Sequence, residues 1–158
     1  MSAITNACAL ALLAALAVPA PAADPIKADL KTFKWKATFE GGEDLGGYDE
    51  NEGRFFFYAH GAATGEVTLP EDGEYTITVE AACSEAQKEL AKFKLTVGGE
   101  VVAKEHACTA EEPKKYTFTA KLKKGKQAVA VEFLNDAFKE GEYDRNLFRP
   151  SLTIEPKK

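Results

Sequence analysis

An excess of basic charge is missing from this chain, and that bears on one large class of partners. Its 20 basic residues are outnumbered by 25 acidic ones, for a formal net charge of −5. Phosphate contacts depend on clustered Lys and Arg, so an acidic chain of this kind is a poor binder of nucleic acid or anionic membrane surfaces. No apolar run reaches the length of about 20 residues that a membrane-spanning helix needs. Histidine occurs only at positions 60 and 106. Neither His60 nor His106 has ligand-like spacing with a cysteine or stands in a nucleophile context, which argues against a zinc site and against nucleophilic catalysis. Internal repeats and low-complexity linkers are also absent, apart from a short Ala/Pro tract near the start.

That tract closes a segment whose only charge is the amino terminus. Residues 1–22 carry no charged side chain, run almost unbroken apolar from Ala7 to Ala20 and end in Ala20-Pro21-Ala22. This pattern predicts a secretory signal peptide over 1–22, leaving 23–158 as a single exported domain, secreted or held in the periplasm or envelope. Of the three cysteines, Cys8 falls in the removed part. Cys83 and Cys108 remain as an even pair in an exported chain, which predicts a disulfide, with two buried thiols as the alternative.

What is abundant is two-residue periodicity. Phe33, Trp35, Ala37 and Phe39 alternate with polar residues, as do Tyr75, Ile77, Val79 and Ala81. The same pattern recurs in Phe93-Leu95-Val97, in Tyr116 to Leu122, and in Val129-Val131-Phe133. Each run gives one buried and one wet face, the mark of antiparallel strands. Pro70 to Gly73, Gly98-Gly99 and Lys123 to Lys126 supply turn chemistry between them. The expected fold is an all-β antiparallel sandwich of eight or nine strands, with a short helical turn at 84–90 capped by Ser84. In Phe55-Phe56-Phe57-Tyr58 one pair of rings faces the core, while the other packs under a loop or offers a platform.

The densest chemistry lies between two such strands. Asn135, Asp136, Glu140, Glu142, Asp144 and Asn146 place four carboxylates and two amides in one turn. Hard oxygen donors at that density suit calcium, which takes six to eight of them; a solvated acidic turn is the plainer reading. A second acidic stretch, Glu40 to Glu52, only partly mimics a calcium loop: Gly53 and Arg54 stand where two of its residues should be.

Phe133-Leu134-Asn135-Asp136-Ala137-Phe138 followed by Asp144-Arg145-Asn146-Leu147-Phe148 resembles the signature of the calcium-dependent xylan-binding modules, families 36 and 60 of the carbohydrate-binding modules. That resemblance implies a galactose-binding-like jelly-roll sandwich holding Ca2+ in the 135–146 loop, with Asp136 and Asp144 as the matched carboxylates. Asn135 and Asn146 are the matched amides, and Glu140 and Glu142 are additional metal candidates. Tyr143 and Phe148 flank the loop as ligand contacts, while Arg145 has a structural role. The chain departs from the family at Arg149-Pro150, where a further aspartate is common. The implied function is non-catalytic binding of xylan or a related polysaccharide, alone, in an envelope, or beside a separately encoded enzyme. The competing class is a structural or protein-interaction sandwich with no sugar ligand.

Overall fold

The computed structural model describes residues 24–157, so the predicted signal peptide lies outside the described residues. Two antiparallel sheets face each other. One runs β3 (Gly46–Asp49), β4 (Arg54–Phe57), β13 (Leu147–Pro156), β6 (Gly73–Cys83), β9 (Lys114–Leu122), with β1 (Ile26–Lys27) beside the end of β13. The other runs β2 (Lys34–Ala37), β5 (Gly61–Leu69), β10 (Gly125–Phe133), β7 (Lys92–Val97), β8 (Glu100–Ala107). A small hairpin, β11 (Ala137–Lys139) with β12 (Tyr143–Arg145), stands at one end.

The alternation explains the packing. Tyr75, Ile77, Val79 and Ala81 of β6 meet Phe93, Leu95 and Val97 of β7 and Val129, Val131 and Phe133 of β10 in one continuous core. Each of the Val, Leu, Ile and Phe side chains contributes about 1.5–3 kcal/mol when taken out of water. Phe55 and Phe57 also point inward, while Phe56 and Tyr58 stack on each other outside, ring centroids 4.6 Å apart.

Three expectations need correcting. The described residues form thirteen strands rather than eight or nine; β1, β3, β4, β11 and β12 span only two to four residues each, too few to display a period. β8 hid its period because its register against β7 slips twice. No helix forms over 84–90. Gln87 and Lys88 both take left-handed φ, 54° and 64°, and Ala86 and Glu89 close the turn with reciprocal 3.0 Å hydrogen bonds. Ser84 is engaged elsewhere: its Oγ donates to the Asp144 carbonyl and accepts from the Asn146 N–H.

The predicted Cys83–Cys108 disulfide is not formed; both are free, buried thiols. Cys83 ends β6 in one sheet and Cys108 follows β8 in the other, and the two thiols sit close enough to shift each other's ionisation. Cys83 Sγ also donates to the Ala110 carbonyl at 3.4 Å. Interaction with the Cys108 thiol, stronger than the opposing effect of burial, lowers the Cys83 thiol to about 7, and the same interaction with burial pushes the Cys108 thiol up.

One corner of the sandwich is set by Trp35. Its indole lies so close over Gly46 and Gly61 that a Cβ there would come within 2.3 and 2.2 Å of ring atoms. The indole N–H donates to the Gly42 carbonyl at 2.9 Å. That bond fixes the loop from 42 to 46, and the Leu45 carbonyl in turn accepts the Tyr58 N–H at 2.7 Å.

Candidate functional site

The end of β10 is held from both sides. Leu134 N–H donates to the Lys92 carbonyl at 2.9 Å, and His60 Nε2–H donates to the Leu134 carbonyl at 2.9 Å. Next to it, Asn135 Oδ1 accepts from Lys92 N–H at 2.6 Å and Nδ2 donates to the Leu90 carbonyl at 3.0 Å. Asn135 is thereby consumed in anchoring the chain, and Asp136 follows on a fixed backbone.

Beyond Asp136 the hairpin sorts its side chains by parity. Phe138 pairs with Asp144, so the two share one face; Ala137, Lys139, Tyr143 and Arg145 take the other. Arg145 is buried and gathers three carbonyls: Glu89 through Nε at 3.0 Å, Asn135 through Nη1 at 2.5 Å, and Ala86 through Nη2. The 86–89 turn and the 135–136 segment are thus tied to one guanidinium, the structural role expected of it.

On the opposite face opens a cavity of about 460 Å³ lined by Asp136, Asp144, Phe138, Phe39, Leu45, Tyr58 and Ala59. Three of the four exposed large hydrophobic residues in the described chain stand here: Phe138 at 67%, Phe39 at 49% and Tyr58 at 40%. Gathered apolar rings in water mark a contact surface rather than incidental exposure. Phe148 does not reach the cavity wall; it supports Tyr58 edge-on at 6.0 Å, with the Arg54 guanidinium 4.7 Å from the centre of its ring.

One carboxylate of the cavity is short of partners. Asp136 Oδ1 is buried without a hydrogen bond, as is Asn146 Oδ1 two residues beyond Asp144 and outside the cavity lining, and an unsatisfied buried acceptor is rare enough to demand a reason. Burial raises the Asp136 carboxyl above its usual range and the neighbouring Asp144 charge adds to this, while His60 and Arg145 oppose it. A cation would relieve both the desolvation and the repulsion. Among the described residues no three His, Cys, Asp or Glu side chains cluster closely enough to hold a metal by themselves. Two carboxylates with an amide oxygen two residues on still fit calcium, which completes its shell with carbonyls, water and ligand hydroxyls.

The other sequence candidates fall outside the cavity. Glu140 is exposed near the tip of the hairpin, and Glu142 pairs with Lys139 at 2.5 Å. The Tyr143 hydroxyl accepts from Gln87 Nε2 at 2.9 Å on the far side of the hairpin. In the second acidic stretch Asp49 Oδ1 accepts the N–H groups of Asn51 and Glu52, and Glu50 pairs with Lys31 at 2.9 Å. Phe39, Phe138 and Leu45 were missed by the sequence reading. Phe39 continued the alternation of β2 and looked like core, but the strand ends at Ala37. The usable signal was Phe138, a large apolar residue inside a polar turn.

Residues 76–158 match the pattern of a family described as a Ca-dependent, xylan-binding carbohydrate-binding module, CBM60. No curated protein matches the sequence closely enough to count as a relative. Among solved structures, the CBM36-1 domain of a multidomain xylanase from the hindgut metagenome of Trinervitermes trinervoides is similar at a TM-score of 0.59. It has 13% identity, over 85% of this chain and 98% of that one. A CBM36 module in complex with calcium and xylotriose gives 0.58 at 17% identity, over 84% and 100%. The mannan-binding module from Man5C gives 0.55 at 18% identity, over 84% and 98%. These likenesses show the shared β-sandwich fold.

Proposed function

The chain belongs to the calcium-dependent carbohydrate-binding modules of family 60, and from that membership we propose that it binds xylan or a related polysaccharide, without catalysis, in the cavity beside the β11–β12 hairpin. The observation that supports this most is the meeting of an unpartnered buried carboxylate oxygen on Asp136 with three exposed aromatic rings in one cleft. Sugars present two kinds of surface, apolar ring faces and a rim of hydroxyls, and this cleft answers both.

Asp136 and Asp144 would hold the Ca2+, with Asn146 Oδ1 as the third side-chain oxygen. The bound ion supplies positions at which vicinal hydroxyls displace water. Phe138, Phe39 and Tyr58 exclude water and stack on ring faces, while Phe148 and the Leu45 carbonyl keep Tyr58 in place. Arg145 orients the carboxylates by pinning the backbone on both sides of them. Glu140, Glu142, Asn135 and Tyr143 have no part in this ligand set.

Export through the 1–22 segment places the module outside the cytoplasm, where polysaccharide is met, with a separately encoded enzyme or an envelope component as its working partner. Affinity electrophoresis through gels containing xylan, mannan or no polysaccharide tests the reading. Retardation by xylan in calcium is expected. Equal mobility in every gel would favour the structural sandwich without a sugar ligand.

A further inference from the structure

A second hollow, of about 590 Å³, lies on the outer face of the five-stranded sheet, lined among others by Lys36, Thr38, His60, Ala62, Glu132 and Leu134. The function proposed above does not use it. Its position relative to the first cavity follows from the chain: Thr38 precedes Phe39, His60 follows Ala59, and Leu134 stands two residues before Asp136. Three segments that lie side by side, at the ends of β2, β5 and β10, therefore carry the first cavity on one side and the second on the other.

The saddle between them is rigid. Thr38 N–H and Oγ1–H both donate to the His60 carbonyl, at 3.1 and 3.3 Å. The imidazole lies over Phe133 at 6.2 Å between centroids with planes 29° apart, and its Nε2–H is bound to Leu134. Nε2 is thereby committed to that carbonyl, which leaves Nδ1 free for a ligand hydroxyl. Outward from it, Lys36 pairs with Ala62 and Ala62 with Glu132 across neighbouring strands, a cation and an anion flanking a small residue. Glu132 is itself held by Lys94 at 2.8 Å. Small residues at the floor and polar ends at the walls make a trough, and three strands at about 4.8 Å spacing give it a width of about 10 Å, room for about two pyranose rings.

We infer that this trough is an extension subsite, so that the protein grips a run of several sugar units lying from the Asp136–Asp144 cleft across His60 onto the sheet. This rests on the proposed sugar binding at the cleft. The occupant is the same neutral polysaccharide chain, because the trough adjoins the cleft across the Thr38–Phe39, Ala59–His60 and Leu134–Asp136 segments and offers hydroxyl partners, Lys36, Glu132 and the His60 Nδ1, rather than a cluster of one charge. A module of this form prefers the interior of long chains to short fragments.

Calorimetric titrations of calcium-saturated protein with xylo-oligosaccharides of two to six units decide the matter, repeated with Ala62→Gln. Ala62 faces outward on β5 between core-facing Gly61 and Ala63, so a longer side chain fills the trough without entering the core. Affinity is expected to climb about tenfold between the trimer and the hexamer, and Ala62→Gln to abolish that climb while binding the dimer and trimer as the parent does. Affinity that levels off at the trimer, or an Ala62→Gln protein that binds hexamer normally, would overturn the extension and leave the cleft standing. Absence of binding at every length would overturn both.

Discussion

Replacing Asp136 with Asn separates what this residue does to the fold from what it does for the metal. Without calcium, Asp136 is a partly buried carboxylate with one unpartnered oxygen, and burial disfavours its charge. Asn keeps the shape and removes the charge, so the metal-free variant should melt at or slightly above the parent at neutral pH. With calcium the order reverses. An ion that binds only the folded state at one hundred times its dissociation constant stabilises by about 2.7 kcal/mol. For a domain of this size that is a rise in Tm of about 10 °C. The parent should show that rise in a differential scanning calorimeter and Asp136→Asn should lose most of it. A variant that is clearly destabilised without calcium, or that keeps the full calcium-dependent rise, would refute the reasoning.

Four further outcomes follow. Phe138→Ala and Tyr58→Ala should each weaken xylo-oligosaccharide binding about tenfold, the loss of one stacked ring, with calcium affinity unchanged by calorimetry. Arg145→Lys removes the fork that joins three carbonyls and should cost about 3 kcal/mol, read as a lowered urea midpoint, together with loss of calcium binding. Lys88→Gly, at a φ of 64°, should stabilise by about 0.5–1 kcal/mol in the same assay because glycine takes that conformation without strain. Acidification should weaken calcium binding at a higher pH than an ordinary surface aspartate would set. The raised Asp136 carboxyl must release its proton to take the ion, so titrations in buffers of different ionisation enthalpy should reveal proton release that grows as pH falls toward that raised value.

The long strands were legible because β6, β7, β9 and β10 each repeat a two-residue pattern long enough to reveal a face. The acidic turn was legible as a candidate because four carboxylates crowd one hairpin, of which Asp136 and Asp144 line the cavity. Which of them share a face was not, since Phe138 and Asp144 come together only through the β11–β12 register, which three-residue strands do not announce. Phe39 shows the complementary failure: its spacing from Ala37 says inward, but the chain leaves the sheet first. The 84–90 turn misled for a local reason, because a Ser followed by a Gln three residues on also fits a two-residue β-turn whose left-handed residues are neither Gly nor Asn. The thiols misled for a geometric one, an even count carrying no information on whether two cysteines meet at bonding distance.

The central claim is that sugar binding depends on calcium held at Asp136 and Asp144. One calorimetric cell tests it: xylohexaose is titrated into calcium-loaded protein, the ion is stripped with a chelator and the titration repeated, then calcium is restored. The account predicts binding, then none, then binding again with the original affinity. Heat of binding that persists undiminished in the chelator would contradict it.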